Sequence, residues 1–568
     1  MAVTPSESAR SVDCIRYWWV VNSYSKERPL GADPHDGTKQ RGRAPNVGLR
    51  AALSCAGLVL FASYAITFIW RTSFVVDHKR YFVLFDDGMI SMRYAWNLAH
   101  GVGLVWNAGE RVEGFTNPLW VLVMSVTTLV FDKIAACLAI QILGAVLLAL
   151  GAWMFSLAFE QLALNHARKK AVPAPPNLAV WRLFAFLLCL APYPILYWSL
   201  IGMEVSLLIA LLGTLFYSVG RSEGAPSSRL ATLAGGVAAL CYFTRPDGII
   251  LALPPLLVLA GRSKANIGLQ CRLFAPLVAI IVGVAAVRYA YYGEFAPNTY
   301  VLKVAGMPVE VKLGNGLAFI TPFWHSALAL YAIALVATII LRSAEVVALF
   351  AVPLALLGYQ ISVGGDPWPY WRMLAPGVPC LVVLGMLSLS WHRPARFKVG
   401  RYLTGPVAVL ATSWGVTRLN EPFAGEYWSG SPYQVNYNEI NVRRALVLDR
   451  LLDKDAKIAV LFAGTVPYFT GRYGIDLLGK CDRHVARLPP DLSGHVSWHG
   501  MSSVPGHNKY DLEYSLVTLR PDYVEVSSWG NQTLTAEERA QFQDVTIDGI
   551  GLTLRKGSPH VNWAAVPR

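Results

Sequence analysis

The chain has 568 residues, 54% hydrophobic and only 15% charged, with a mean hydropathy of +0.41, whereas a soluble domain carries ~25% charged residues. A soluble enzyme, a coiled coil and a disordered hub are excluded, and a polytopic membrane protein remains. The net charge of +13 lies before residue 420, since from Asn420 onward fifteen Lys/Arg face seventeen Asp/Glu; this fits basic cytoplasmic loops better than a nucleic-acid surface.

Residues 1–48 are polar and basic, and read as a disordered cytoplasmic tail. The membrane domain is expected over 49–419. Its first span, 49–70, is long enough to cross a bilayer core, and an external loop follows over 71–117. The run 118–131 is too short to cross and reads as a half-span or interfacial helix; 134–158 is a full span. Basic residues then mark cytoplasmic loops. They are His166, Arg168, Lys169, Lys170 and Arg182; Arg221 and Arg229; Arg262, Lys264 and Arg272; Arg342; and Arg393, Arg396, Lys398 and Arg401. Nine apolar runs alternate with them, near 183–199, 203–219, 230–243, 248–261, 273–292, 324–341, 346–363, 373–391 and 402–419. The count is about eleven transmembrane helices, with 198–204, 244–248, 293–322 and 364–372 outside. The C-terminus also lands outside.

From Asn420 the composition becomes soluble, and residues 420–568 read as an extracytoplasmic α/β domain. A helix is expected over 438–453, with strands at 457–462, 523–527 and 552–555. Of the eight cysteines only Cys481 lies in this segment, and no CxxC pair exists. The cysteines therefore read as small apolar packing residues.

The first external loop carries the strongest chemical signal. Asp86 and Asp87 are adjacent, and like charges side by side raise one pKa, which suits a carboxylate that exchanges a proton. The competing reading is a helix cap, because MISMRYAWNLA follows directly. Arg245, Lys303 and Arg372 are membrane-proximal cations suited to phosphate, although a basic residue at a span end also snorkels to headgroups, the favoured reading for Lys303. Asp247 and Asp366 can pair with the arginines. Glu110 and Glu113 flank Arg111 and either orient hydroxyls or form a local ion pair. Trp368 and Trp371 belong to an interfacial belt or stack a sugar face. His495, His499 and His507 lack convincing metal-ligand spacing.

The loop DDGMISMRYAWNLAHGVGLVWNAGERVEGFTNPLW, from Asp86 to Trp120, resembles the signature of a bacterial GT-C glycosyltransferase family, the one that includes the mycobacterial terminal β-(1→2)-arabinofuranosyltransferase. Further pieces follow in family order: Arg245 to Gly248, Ala296 to Tyr300, Gly364 to Asp366 with Arg372, Gly464 to Gly479, and Pro505 to Asp511. The chain departs from the family form at Gly88, Met89 and Pro367. The resemblance implies a GT-C fold and an integral membrane glycosyltransferase of the outer face of the bacterial plasma membrane. The donor would be a polyprenyl-phosphate sugar, with arabinofuranose the best guess, and the acceptor a cell-envelope glycan. Asp86 or Asp87 is then the catalytic carboxylate, with Asp86 favoured because Asp87 looks better placed to cap. Arg245, Lys303 and Arg372 would hold the donor phosphate. Glu110, Arg111, Glu113, Asn298, Tyr300, Asp366 and His507 would contact substrate. No metal site is assigned, and a divalent cation at Asp86/Asp87 stays an open alternative without ligand spacing to support it. The soluble domain is expected to bind acceptor while the membrane domain alone holds the donor. The alternatives are a same-architecture transferase for another sugar on lipid or protein, and a lipid or sugar transporter, which would place ionisable residues at mid-membrane.

Overall fold

The computed structural model describes residues 47–264, 266–388 and 398–566. The expected tail lies outside these except for its last two residues, as do Cys14, Arg393 and Arg396. From Gly48 onward the chain forms one compact unit. It is a multi-pass membrane protein with a C-terminal mixed sheet. Among the described residues five helices are long and apolar enough to cross a bilayer, or six if one bent pair counts as a single span. Shorter apolar helices accompany them at 118–130, 205–221 and 375–387.

The first helix, Val47–Arg71, ends in a hairpin of Phe74–Val76 and Lys79–Tyr81. Its two turn residues, Asp77 and His78, have φ of 47° and 61°, the conformation a two-residue hairpin turn requires. The expected short helix is present as Pro118–Val130. The next helix runs from Lys133 to Lys169, 37 residues, or ~55 Å at 1.5 Å per residue. His166, Arg168 and Lys169 therefore form its last turn, not the loop expected there. Likewise the expected external loop 293–322 is shorter, because Val309–Leu341 is one helix with Pro322 inside it.

The run near 183–199 is two helices, Leu178–Leu190 and Tyr193–Leu200, bent by 63°. Pro192 cannot donate to the preceding turn, which breaks the helix. Asn420 repairs the break: its Nδ2 donates to the Ala191 carbonyl at 2.9 Å and its Oδ1 accepts from the Tyr193 N–H at 2.8 Å. Backbone polar groups at membrane depth need such partners. Lys133–Lys169 lies against Val205–Arg221 through glycines. A Cβ on Gly151 would stand 2.9 Å from the Ala210 nitrogen, and one on Gly213 3.0 Å from the Gly151 carbonyl. Small residues at such a seam let backbones approach in lipid, where no hydrophobic force drives helices together.

The helices are polarised. Lys169 and Arg262 both pair with Glu345, so the basic ends of two helices meet at the acidic first turn of a third. Those of them that continue the other way carry Asp247, at the far end of Ile249–Arg262, and Gly364–Asp366, beyond Ala344–Val363. Val278, Val282, Leu335 and Val336 are exposed apolar residues on the long helices, as lipid-facing positions require.

Beyond Asn420 the five-stranded sheet has the order Tyr473–Asp476, Lys457–Val460, Tyr523–Val524, Ile550–Arg555, Phe542–Ile547. The first three strands are parallel and the last two join antiparallel. Two of these strands, 473–476 and 542–547, were not expected; the helix expected over 438–453 is Val435–Leu451. The sheet docks on the first loop. Buried Arg93 donates to the carbonyls of Trp106, Pro467 and Arg472, and Trp106 Nε1 donates to the Ala463 carbonyl at 3.1 Å. The described cysteines are all free.

Candidate functional site

A cavity of about 330 Å³ opens where the helix ends, the first loop and the C-terminal segment converge. All four of the segments expected on one side contribute to it: Met203–Glu204, Arg245–Asp247, Phe295–Val304 and Gly365–Arg372. Its apolar residues, among them Ile90, Phe115, Phe295, Val304 and Val363, stand beside Asp87, Arg245, Lys303, Asp366, Arg372 and Lys480.

The carboxylate pair begins a helix, Asp86–Ala99, whose N-cap is Phe85, with no side-chain cap bond. Asp87 is thus inside the first turn and does not cap it, which removes the reason for favouring Asp86. The two side chains diverge, as neighbours ~100° apart around a helix must. Asp86 is buried and turns to the C-terminal segment. It accepts from the Thr465 N–H at 3.0 Å, the Thr465 hydroxyl at 3.3 Å and the Gly464 N–H at 3.3 Å. A Cβ on Gly464 would strike the Asp86 carbonyl oxygen before its side chain, so only glycine fits there. Asp87 turns to the cavity. Its Oδ1 accepts from Lys480 Nζ at 2.9 Å, and its Oδ2 from Arg372 at 3.0 Å and Trp368 Nε1 at 3.2 Å.

The two acids accordingly titrate apart. Burial pushes Asp86 up to about 6 against the pull of Lys480 and the Thr465 N–H. Burial would also raise Asp87, but Lys480, Arg372 and Lys303 together hold it well below the usual carboxylate range. Burial lowers Lys480, yet Asp87 and Asp86 outweigh it and keep the ammonium charged. Lys303 is shifted down by burial, with Asp366 and Asp87 opposing; among the described residues it makes no ion pair within 4 Å. This half-buried cation lacks the close counter-charge that Arg372 and Lys480 enjoy.

Arg245 lies on the cavity wall between Glu204 at 2.7 Å and Asp247 at 2.9 Å, and Asn117 holds the other Glu204 oxygen at 3.0 Å. Asp366 pairs with Arg372 at 3.1 Å, and half-exposed Tyr300 completes this side. Other expected site residues lie elsewhere. Glu113 is locked in a buried pair with Arg288. Asn298 donates to the carbonyls of Gly479, Lys480 and Asp482, bracing the turn that carries Lys480. Glu110 bonds Asn107 and Tyr473, and Arg111 lies over the Tyr291 ring; both line a separate open cleft.

His507 belongs to a second cavity, about 260 Å³, on the other side of Lys480. Trp368, Tyr433, Phe462, Trp498 and Trp529 line it with Asp86, and His507 packs edge-on against Trp368 and Trp498. Burial, with Lys480 and Lys303 nearby, pushes the imidazole down to about 3, so it is neutral at ordinary pH. This cavity draws on no membrane-capable helix, whereas the first takes Arg288, Tyr359, Gln360 and Val363 from the ends of two of them.

Lys480 and Glu204 are the participants that the sequence did not single out. Lys480 directly follows Gly479, the last residue of one of the motifs, which is the only signal it gives. Each carboxylate of the Asp86–Asp87 pair is already surrounded by N–H, hydroxyl or cationic donors, and among the described residues no three His, Cys, Asp or Glu side chains come together.

Residues 432–554 match a family described as Domain of unknown function (DUF8728). The chain is similar to the terminal β-(1→2)-arabinofuranosyltransferase of Mycobacterium tuberculosis, 25% identical over 256 residues, which is 42% of this chain and 37% of that protein. It is also similar to the protein of the same name from Corynebacterium glutamicum, 30% identical over 259 residues, 42% of this chain and 35% of that one. The matched region thus spans a little over a third of these relatives' length. Among solved structures, ArnT from Cupriavidus metallidurans bound to undecaprenyl phosphate aligns over 90% of this chain and 99% of its own, at 12% identity and a TM-score of 0.48.

Proposed function

We propose that the protein is a membrane glycosyltransferase that moves a sugar from a polyprenyl-phosphate donor to a cell-envelope glycan on the outer face of the bacterial plasma membrane. The observation that carries this reading is Asp87, a carboxylate clamped by Lys480 and Arg372 with Lys303 beside them, in a cavity at the ends of membrane helices. Such a cavity suits an amphiphile with an anionic head: the cations take the phosphate, and the apolar wall takes the first isoprene units. The basic helix ends opposite the cavity support an outward-facing site. The names of the two relatives support arabinofuranose as the sugar. The aromatic cavity, built entirely outside the membrane helices, suits the water-soluble acceptor, since ring faces stack on sugars while a few polar groups orient them.

In the proposed reaction the acceptor oxygen forms a bond to the anomeric carbon as the bond from that carbon to the phosphate oxygen breaks. The hydroxyl proton passes to Asp87, and the electron pair leaves on polyprenyl phosphate. In the unliganded site Asp87 is a poor base because three cations surround it. A bound phosphate competes for Lys480, Arg372 and Lys303, and the carboxylate regains basicity as they turn away. Arg245, paired twice, holds the cavity wall rather than the phosphate.

The test is turnover of a purified protein supplied with a polyprenyl-phosphoryl sugar and an envelope glycan. Asp87→Asn should lower the rate by ~10²–10⁴-fold, the usual cost of losing a general base, while lipid-phosphate binding survives. Near-normal turnover in that variant would end the assignment. Mass spectrometry of envelope glycans from a deletion strain then identifies the missing terminal sugar.

A further inference from the structure

Buried polar atoms in folded proteins nearly always have partners, and each orphan calls for an explanation. Among the described residues thirteen buried side-chain nitrogen or oxygen atoms have none, and five of these belong to residues lining the first cavity. They are both amide atoms of Gln360, the Thr299 hydroxyl, Asp366 Oδ2 and Arg372 Nε. Gln360 stands out. It is 1% exposed, it lies near the end of the apolar helix Ala344–Val363, and neither end of its amide is satisfied. Its backbone is fully used, since its carbonyl accepts from the N–H groups of Gly364 and Gly365. Leaving an amide unpaired in such a place costs free energy that a Leu or Met would not.

We infer that Gln360, with Thr299 also on the cavity wall, is the element that reads the transferred sugar: its amide oxygen accepts from one sugar hydroxyl while its nitrogen donates to another sugar oxygen. The inference rests on the proposed lipid-phosphate donor and adds the part of the site that distinguishes a glycosylated lipid from a bare one. The chemistry matches the two classes of orphan. Arg372 Nε is a charged donor and suits the phosphate, whereas a neutral amide and a hydroxyl each both donate and accept, as sugar hydroxyls do. Asp366 Oδ2 can accept a further hydroxyl. A site whose buried polar groups are completed only by the substrate's hydroxyls also rejects analogues lacking them strongly, because the orphans then stay unpaired.

The test compares full-length wild type with Gln360→Leu and Thr299→Val, near-isosteric changes that remove the orphans. The probes are farnesyl phosphate and its pentofuranosyl and hexopyranosyl esters. Wild type should bind one ester at least tenfold more tightly than farnesyl phosphate. Gln360→Leu should erase that preference, leave farnesyl phosphate binding unchanged, and melt at a higher temperature than wild type without ligand. Thr299→Val should show the same pattern to a smaller degree. If Gln360→Leu keeps the preference, or weakens ester and bare phosphate alike, the inference is wrong. It is equally wrong if wild type binds farnesyl phosphate but prefers no ester. Failure of wild type to bind farnesyl phosphate at all would instead remove the donor reading beneath it.

Discussion

Asp86 and Asp87 show how two identical side chains acquire opposite properties from a 100° turn of backbone. Asp86 is buried against backbone N–H groups and is raised to about 6; Asp87 meets cations and is lowered. The sign for stability follows. Because the folded value of Asp86 exceeds the ordinary value of ~3.9, its contribution is fully present below pH 4 and is lost as pH rises through 6. Thermal melting should therefore show wild type gaining stability from pH 7 to pH 4 relative to Asp86→Asn, by up to about 3 kcal/mol. Parallel melting profiles for the two proteins would show that Asp86 is not perturbed. In the transfer assay, Asp87 as base predicts no loss of rate between pH 7 and 5 from its own titration; an acid limb centred near 6 would move the role to Asp86. The sequence brought both acids forward because they are adjacent in a loop beside a span. It could not assign their roles, since that depends on Gly464 and Lys480, which lie 378 and 393 residues away.

At the scale of elements, apolar runs and basic loops were legible wherever a span ended in charge. They failed where a helix ran past the bilayer, as at 133–169 and 309–341, because hydropathy marks burial in lipid and not the end of the helical hydrogen-bond ladder. The bend at Pro192 shows the other limit: the proline is visible, but its remedy, Asn420, lies 229 residues beyond Ala191, whose carbonyl it satisfies. The glycine seam between Lys133–Lys169 and Val205–Arg221 was equally silent, since glycines are common in membrane helices. Gly151→Leu should force the two backbones apart. Overpacking of this kind costs ~1–3 kcal/mol, and more where backbone blocks relaxation, so the detergent-solubilised variant should melt well below wild type. An unchanged melting temperature would mean that the seam is not tightly packed.

For the whole molecule, a donor-holding membrane domain and an acceptor-holding soluble domain were expected, whereas both parts of the chain contribute side chains to the candidate site. The C-terminal segment supplies Lys480 to the cationic cavity and Gly464–Thr465 to Asp86, and Asn298 of the membrane part braces the Lys480 turn. Lys480→Gln should therefore weaken lipid-phosphate binding itself. A hydrogen bond to a charged group is worth ~1.5–3 kcal/mol, or about 10–100-fold in affinity, readable by titration with farnesyl phosphate. Unaltered affinity would restore the separation of roles. In the proposed reaction the clamp on Asp87 also fixes a sequence of events in time. With its carboxylate held by Lys480 and Arg372 and Lys303 nearby, the protein that meets a glycan first can only wait, because nothing draws the proton from the hydroxyl. The lipid must arrive before the polymer is of any use, and the spent lipid, still bearing its phosphate, keeps the same cations occupied until it departs. The supply and clearance of carrier lipid, more than the abundance of glycan ends, would then govern how fast such a protein works.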